Sequence, residues 1–281
     1  MLKKPPLPIF ISIASLLMPV LVEATDWVIS PQIETGIMDY KYEQWHPKYT
    51  FSLTDKLPFL GVGATLAYDR FFIEGYQKTG QGKEPFLDRS YYFGQAVEEL
   101  NADFNFRLYS LTVGYWLSDK FSMYGGYQAR NTSFNLSNTS HDRRFEIDYE
   151  ASGPFVGLAY GWRIGSGLLS LNSGYASLNI ENETSINNGS VEPITFSNRT
   201  LAQNIGISWN APITRNLSYG VSLSSYSLIV DELAESRSDL RLTLTYSFDV
   251  PKSSQPEIYP PKRKQKKPIQ EVVVPPNAPG F

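Results

Sequence analysis

The sequence predicts an all-β fold: an antiparallel up-and-down β-barrel of about ten strands that crosses a membrane, followed by a disordered C-terminal tail. Three observations carry this. Large apolar residues alternate with small or polar ones from Trp27 to Val250, the connections between alternating runs are short and long in turn, and the tryptophans cluster beside the short connections.

Bulk composition sets the bounds. The 281 residues suffice for one large β domain or two small ones, and length alone does not choose. A hydrophobic content of 42% rules out global disorder, and 14% aromatics suits strands or a membrane interface. With no cysteine, disulfides, thiolate metal sites and thiol nucleophiles are excluded. Charge is unevenly placed: the total is −3, the last 31 residues carry +4 and the first 24 carry +1, leaving −8 on residues 25–250. An acidic body thus precedes a basic tail.

The chain begins with Lys3, Lys4 and the apolar run "LPIFISIASLLMPVLV" (7–22), then "VEA" (22–24). This reads as a secretory signal, residues 1–24, with the mature chain starting near Thr25. The run is too short for an anchor and is interrupted by Pro8 and Pro19. No later stretch is long and apolar enough to span a bilayer as a helix, so entry into a membrane requires a barrel.

Residues 25–250 form the expected barrel domain. Strands are expected near 27–42, 57–68, 71–79, 102–117, 120–135, 145–164, 168–183, 197–211, 217–231 and 238–250. Counts of eight or twelve are the alternatives that boundaries of this kind allow. No segment sustains a 3.6-residue period with caps. The short connections are "YDRF" (68–71), "SDK" (118–120), "GSG" (165–167) and "APITRN" (211–216). The mostly longer, polar ones are 43–56, 79–101, 136–144, 182–196 and 232–237. With both termini on one side, all short turns fall there and all longer loops opposite.

The two faces of each strand decide what surrounds the barrel. In "LRLTLTYSFD" (240–249), Leu240, Leu242, Leu244, Tyr246 and Phe248 share one face, while Arg241, Thr243, Thr245, Ser247 and Asp249 share the other. Val156, Leu158, Tyr160, Trp162 and Ile164 likewise oppose Gly157, Ala159, Gly161 and Arg163. A soluble sandwich points its large residues inward and long charged ones outward. Here the second face is small, hydroxylic or Gly with an occasional Arg, which suits a crowded polar lumen, so the apolar face meets lipid. Trp27, Tyr68, Trp116, Trp162, Trp209 and Phe248 all lie at the short-turn ends, as an interfacial aromatic girdle requires. The segments "FFIEGY" (71–76), "FSMYGGY" (121–127) and "LSLNSGY" (169–175) each follow a short turn and end in Gly-Tyr. Glycine lets an aromatic ring lie over a neighbouring strand, a device of curved sheets.

The stretches "LTVGYWLSDKFSMYGGYQ" (111–128) and "LTLTYSF" (242–248) resemble the small outer-membrane β-barrel proteins of Gram-negative bacteria. The resemblance is architectural, covers roughly 25–250, and implies outer-membrane lipid and the barrel-assembly machinery as partners. It also implies that Tyr246 and Phe248, aromatics at the last and antepenultimate positions of the closing strand, form the assembly signal. One departure stands out: about thirty residues follow that strand.

Glu74, Arg130, Arg163 and Arg241 are the candidate lumen charges. Buried charges need partners, so an Arg–Glu network filling the interior is the plainer reading and the selectivity lining of a small pore the sharper one. A ten-stranded barrel is only slightly wider than an eight-stranded one filled by side chains, so a plug or a narrow passage is expected. The two histidines, His46 and His141, lie in expected external loops, and "SHD" (140–142) cannot converge as a triad because adjacent loop residues point apart. No metal site, cofactor or nucleic-acid partner is expected. The Asn-x-Ser/Thr sites read as polar loop composition.

Residues 251–281 are rich in Pro and Lys and cannot bury a core. They are expected in the periplasm, where Lys262, Arg263, Lys264, Lys266 and Lys267 would tether the protein to an anionic partner such as the cell wall, or to a periplasmic protein. The expected function is a non-enzymatic outer-membrane protein with a structural, surface-interaction or narrow-channel role. The alternative is an outer-membrane hydrolase, a protease or lipid-modifying enzyme, acting at the external rim.

Overall fold

A computed structural model describes residues 27–46, 49–83, 86–92, 95–96, 101–138, 143–186, 193–230 and 233–250. The expected signal 1–24, His141 and the tail with its Lys262–Lys267 cluster lie outside the described residues. Ten strands form the wall: β1 Trp27–His46, β2 Tyr49–Tyr68, β3 Phe71–Lys83, β4 Asn101–Trp116, β5 Phe121–Asn138, β6 Arg143–Ile164, β7 Gly167–Ile186, β8 Ile194–Pro212, β9 Leu217–Val230 and β10 Leu233–Tyr246. A short piece, Phe248–Val250, continues β10 alongside β1. Each strand pairs antiparallel with its neighbours in sequence, and β10 pairs with β1, so the barrel is closed. Two further short strands follow β3 in sequence: Phe86–Tyr92 pairs with the start of β2, and Gln95–Ala96 pairs with Phe86–Tyr92.

Local chemistry makes the turns. Asp69 and Gly165 take the left-handed conformation, φ 51° and 60°, which Gly reaches freely and Asp tolerates. Ser118 Oγ accepts the amides of Lys120 and Phe121 at 3.3 and 3.2 Å, and Thr214 Oγ1 those of Asn216 and Leu217 at 3.3 and 3.1 Å. Each hydroxyl closes its turn by taking the place of a ladder acceptor.

The register sets the barrel's dimensions. Stepping between cross-strand partners from Val28 through Ala67, Phe72, Gly114, Tyr124, Gly157, Gly174, Asn204, Tyr226 and Arg237 leads back to β1 at Tyr40. The return point lies 12 residues above the start, the shear number of the barrel. For ten strands this corresponds to a tilt of about 40°.

The outer surface carries one apolar band. Ile29, Ile33 and Ile37 on β1, Leu60 and Val62 on β2, Val156, Leu158 and Tyr160 on β6, and Leu240, Leu242 and Leu244 on β10 all point outward and are exposed. The band takes about ten residues of each strand, roughly 26 Å of height at this tilt, which matches the lipid-facing band of an outer-membrane barrel. The polar face of 240–249 points inward, with Thr243 and Thr245 buried.

Above the band the faces exchange roles. On β1 the outward apolar series ends at Ile37, and Met38, Tyr40 and Tyr42 become the apolar, buried, inward residues while Asp39 and Lys41 point out. The same inversion separates Tyr175 from Leu178 and Ile180 on β7, and Leu223 from Tyr226 and Leu228 on β9. Outside water replaces lipid there, so the strand obeys the soluble-barrel pattern. The expected lumen, polar throughout, is therefore corrected: the membrane-level half is polar and the outer half is an apolar core. The expected long loops 43–56 and 232–237 are largely wall for the same reason, because alternation continues past the membrane with its faces exchanged.

Trp116 is a second correction. It is 8% exposed and points inward, packed on Phe72 with ring centroids 4.8 Å apart, while Tyr115 occupies the outer face against Phe71. The strand ends in two aromatics, and parity sends only the first to lipid. Trp27, Tyr68, Trp162 and Phe248 face out and are exposed, and Trp209 is partly exposed against Tyr219. The glycine–aromatic pairing occurs inside the wall: a Cβ at Gly157 would collide with the Tyr124 ring, and one at Gly61 with the Tyr76 ring.

Candidate functional site

The lumen is built in three levels. Nearest the short turns, Phe72, Trp116, Tyr124 and Ala159 form a small apolar cluster among buried Ser30, Gln32, Thr65, Ser122 and Ser170. Farthest from them, Tyr40, Tyr42, Leu53, Phe104, Phe134, Ile147, Leu178, Ile180 and Leu228 fill the barrel from wall to wall. Phe104 stacks on Phe134, their ring planes 8° apart at 4.7 Å. Between these levels lies a ladder of charges.

The closing strand supplies one side of that ladder. Alternate residues of β10 face the lumen, and they are Glu235, Arg237, Asp239 and Arg241. Each meets a different strand. Arg130 Nη2 on β5 lies 2.5 Å from Glu235 Oε2 across the lumen. Lys78 Nζ on β3 lies 2.6 Å from Asp239 Oδ2, and 4.1 Å from the centre of the Phe59 ring. Arg241 Nη1 lies 3.6 Å from Glu34 Oε2 on β1. The Arg237 guanidinium sits between the rings of Tyr226 and Phe106, at 4.3 and 5.4 Å.

Phenols complete the shell. Arg130 donates to Tyr149 Oη at 3.0 Å and Tyr226 Oη at 3.2 Å, and Tyr149 in turn donates to Glu235 at 3.1 Å. Tyr76 donates to Glu34. All of these side chains but the partly exposed Arg241 are shielded from solvent, so each buried charge depends on its partner rather than on water. The ion pairs and hydrogen bonds join six strands, β1, β3, β5, β6, β9 and β10. Among the described residues no cluster of His, Asp or Glu is set to hold a metal ion.

Of the four charges singled out from sequence, Glu74 and Arg130 are buried in the lumen, and Arg241 faces it, partly buried. Arg163 is exposed at the short-turn mouth and lies outside the ladder. Tyr246 and Phe248 face outward as a pair, ring centroids 4.6 Å apart. Sequence reasoning missed Glu34, Lys78, Glu235, Arg237 and Asp239. A signal existed: Glu235, Arg237 and Asp239 share parity with Arg241, Thr243 and Thr245, but treating 232–237 as a loop hid it.

No family model and no curated protein matches the chain. Solved structures do. The outer membrane protease OmpT of Escherichia coli is similar at 11% identity and a TM-score of 0.64, over 79% of this chain and 97% of that one. The translocator domain of the autotransporter NalP from Neisseria meningitidis aligns at 11% identity and a TM-score of 0.48, over 80% and 89%. The attachment invasion locus protein Ail of Yersinia pestis aligns at 10% identity and a TM-score of 0.35, over 78% and 98%. At these identities the likeness is one of fold: the chain is built as a small Gram-negative outer-membrane β-barrel.

Proposed function

We propose that this protein is a closed, non-conducting outer-membrane barrel with a structural or surface-interaction role. The observation that supports the reading is the filled lumen: Tyr40, Leu53, Phe104, Phe134, Leu178 and Leu228, from six different strands, are each at most 1% exposed. A conducting pore needs a continuous polar passage, and this packing leaves none at the outer level. The hydrolase reading gains nothing from the ladder, whose carboxylates Glu34, Glu235 and Asp239 are engaged by cations and buried. Within this proposal the cationic tail 251–281 serves as a tether to an anionic periplasmic partner.

Single-channel recording of the refolded protein in planar bilayers tests it. Insertion is first verified by the mobility difference between unheated and heated samples. An inserted barrel with no discrete conductance steps is expected, and steps of uniform size would overturn the reading.

A further inference from the structure

We infer that the alternating charges on the inward face of β10, Glu235, Arg237, Asp239 and Arg241, are a register code that sets where the barrel closes. Nine of the ten strand pairs join neighbours in sequence. The β1–β10 pair joins the two ends of the domain, so no connection limits how the strands slide. Its register decides the shear, and with it the tilt and radius into which the lumen side chains must fit.

The hydrophobic pattern rejects only half of the errors. A slip of one residue would turn Leu240, Leu242 and Leu244 inward and is excluded by that pattern alone. A slip of two keeps every apolar residue facing lipid, since each leucine takes the place of the next. The charges reject that slip. Moving β10 by two residues in one direction puts Arg237 beside Arg130, Arg241 beside Lys78 and Thr243 beside Glu34. Moving it in the other puts Leu233 beside Arg130, Arg237 beside Lys78 and Asp239 beside Glu34. Like charges then meet in a lumen that water does not reach, where they are poorly screened. A column whose sign changes at every inward position is the arrangement for which a two-residue slip is worst.

The chain has no cysteine, so cross-linking can read the register directly. Thr35 and Leu242 are outward-facing partners across the closing pair. In the full-length protein assembled in membranes, Thr35→Cys is combined with Leu242→Cys for the native register, or with Leu240→Cys or Leu244→Cys for slips of two. Oxidation and non-reducing electrophoresis then measure each product. On the native charge column, the 35–242 product dominates.

Reversing the column (Glu235→Arg, Arg237→Glu, Asp239→Arg, Arg241→Glu) makes both slipped registers matched ones, at Arg130 and Lys78 in one direction and at Lys78 and Glu34 in the other. The 35–244 and 35–240 products together then exceed the 35–242 product. A neutral column (Glu235→Gln, Arg237→Gln, Asp239→Asn, Arg241→Gln) removes the preference and brings the ratio toward one, and it stays informative if the reversed chain does not fold. Either variant cross-linking only at 35–242, whatever its folded yield, would overturn the proposal, because a charge column that merely fills space leaves the register unchanged.

Discussion

The ion pair between Arg130 and Glu235 gives the sharpest stability test of a dry lumen. Arg130→Met keeps much of the side-chain volume but leaves the Glu235 carboxylate, 1% exposed, without its cation 2.5 Å away. It also removes the donor to Tyr149 and Tyr226. Breaking a buried pair from one side costs about 3–5 kcal/mol, because the remaining charge stays desolvated. Removing both partners, Arg130→Met with Glu235→Met, takes that charge away and costs about 1 kcal/mol or less. The single costs should therefore not add, and the double-mutant cycle should give a coupling of at least about 3 kcal/mol, at or above the upper end for contacting residues.

The assay is urea unfolding of the protein refolded into lipid vesicles, followed by tryptophan fluorescence. With a slope of about 2–3 kcal/mol/M, the single variant's midpoint falls by about 1–2 M and the double variant largely recovers it. A shift of less than about 0.5 kcal/mol for Arg130→Met, the range of solvated surface changes, would mean that water reaches Glu235. The lumen would then be hydrated rather than filled.

Two further outcomes follow from the band and its rim. Leu158→Arg, near the middle of the lipid-facing band, should destabilise the barrel by about 2–4 kcal/mol, whereas Ser227→Arg, on the outer wall above the band, should stay within about 0.5 kcal/mol in the same unfolding assay. In single-tryptophan versions of the protein, brominated lipid should quench Trp162 strongly and leave Trp116 nearly unquenched, since one ring faces lipid and the other is enclosed with Phe72. Equal quenching of the two would return Trp116 to the girdle.

Much of the fold was legible because strand alternation is a local property. Leu240, Leu242 and Leu244 lie two apart, and no tertiary knowledge is needed to see that they share a face. The inversion between Ile37 and Met38 was also written there, but its meaning depends on where lipid ends, and a strand does not state its own height. Trp116 was misplaced for a related reason: with Tyr115 beside it, only pairing with Phe71 and Phe72 decides which ring turns outward. The charge ladder was the least legible. Lys78 and Asp239 are 161 residues apart, and a Lys in one strand carries no mark of the carboxylate it will meet across a barrel.

The amino-acid sequence by itself determined that this chain makes a transmembrane barrel of about ten strands and that lipid meets its leucine-rich face, because period-two alternation and turn chemistry act over a few residues; closure in the structure settled the count at ten. Only the tertiary structure decided the shear of 12, the apolar plug above the membrane and the partner of each buried charge. Those depend on closure, and closure joins groups that proximity along the chain does not relate.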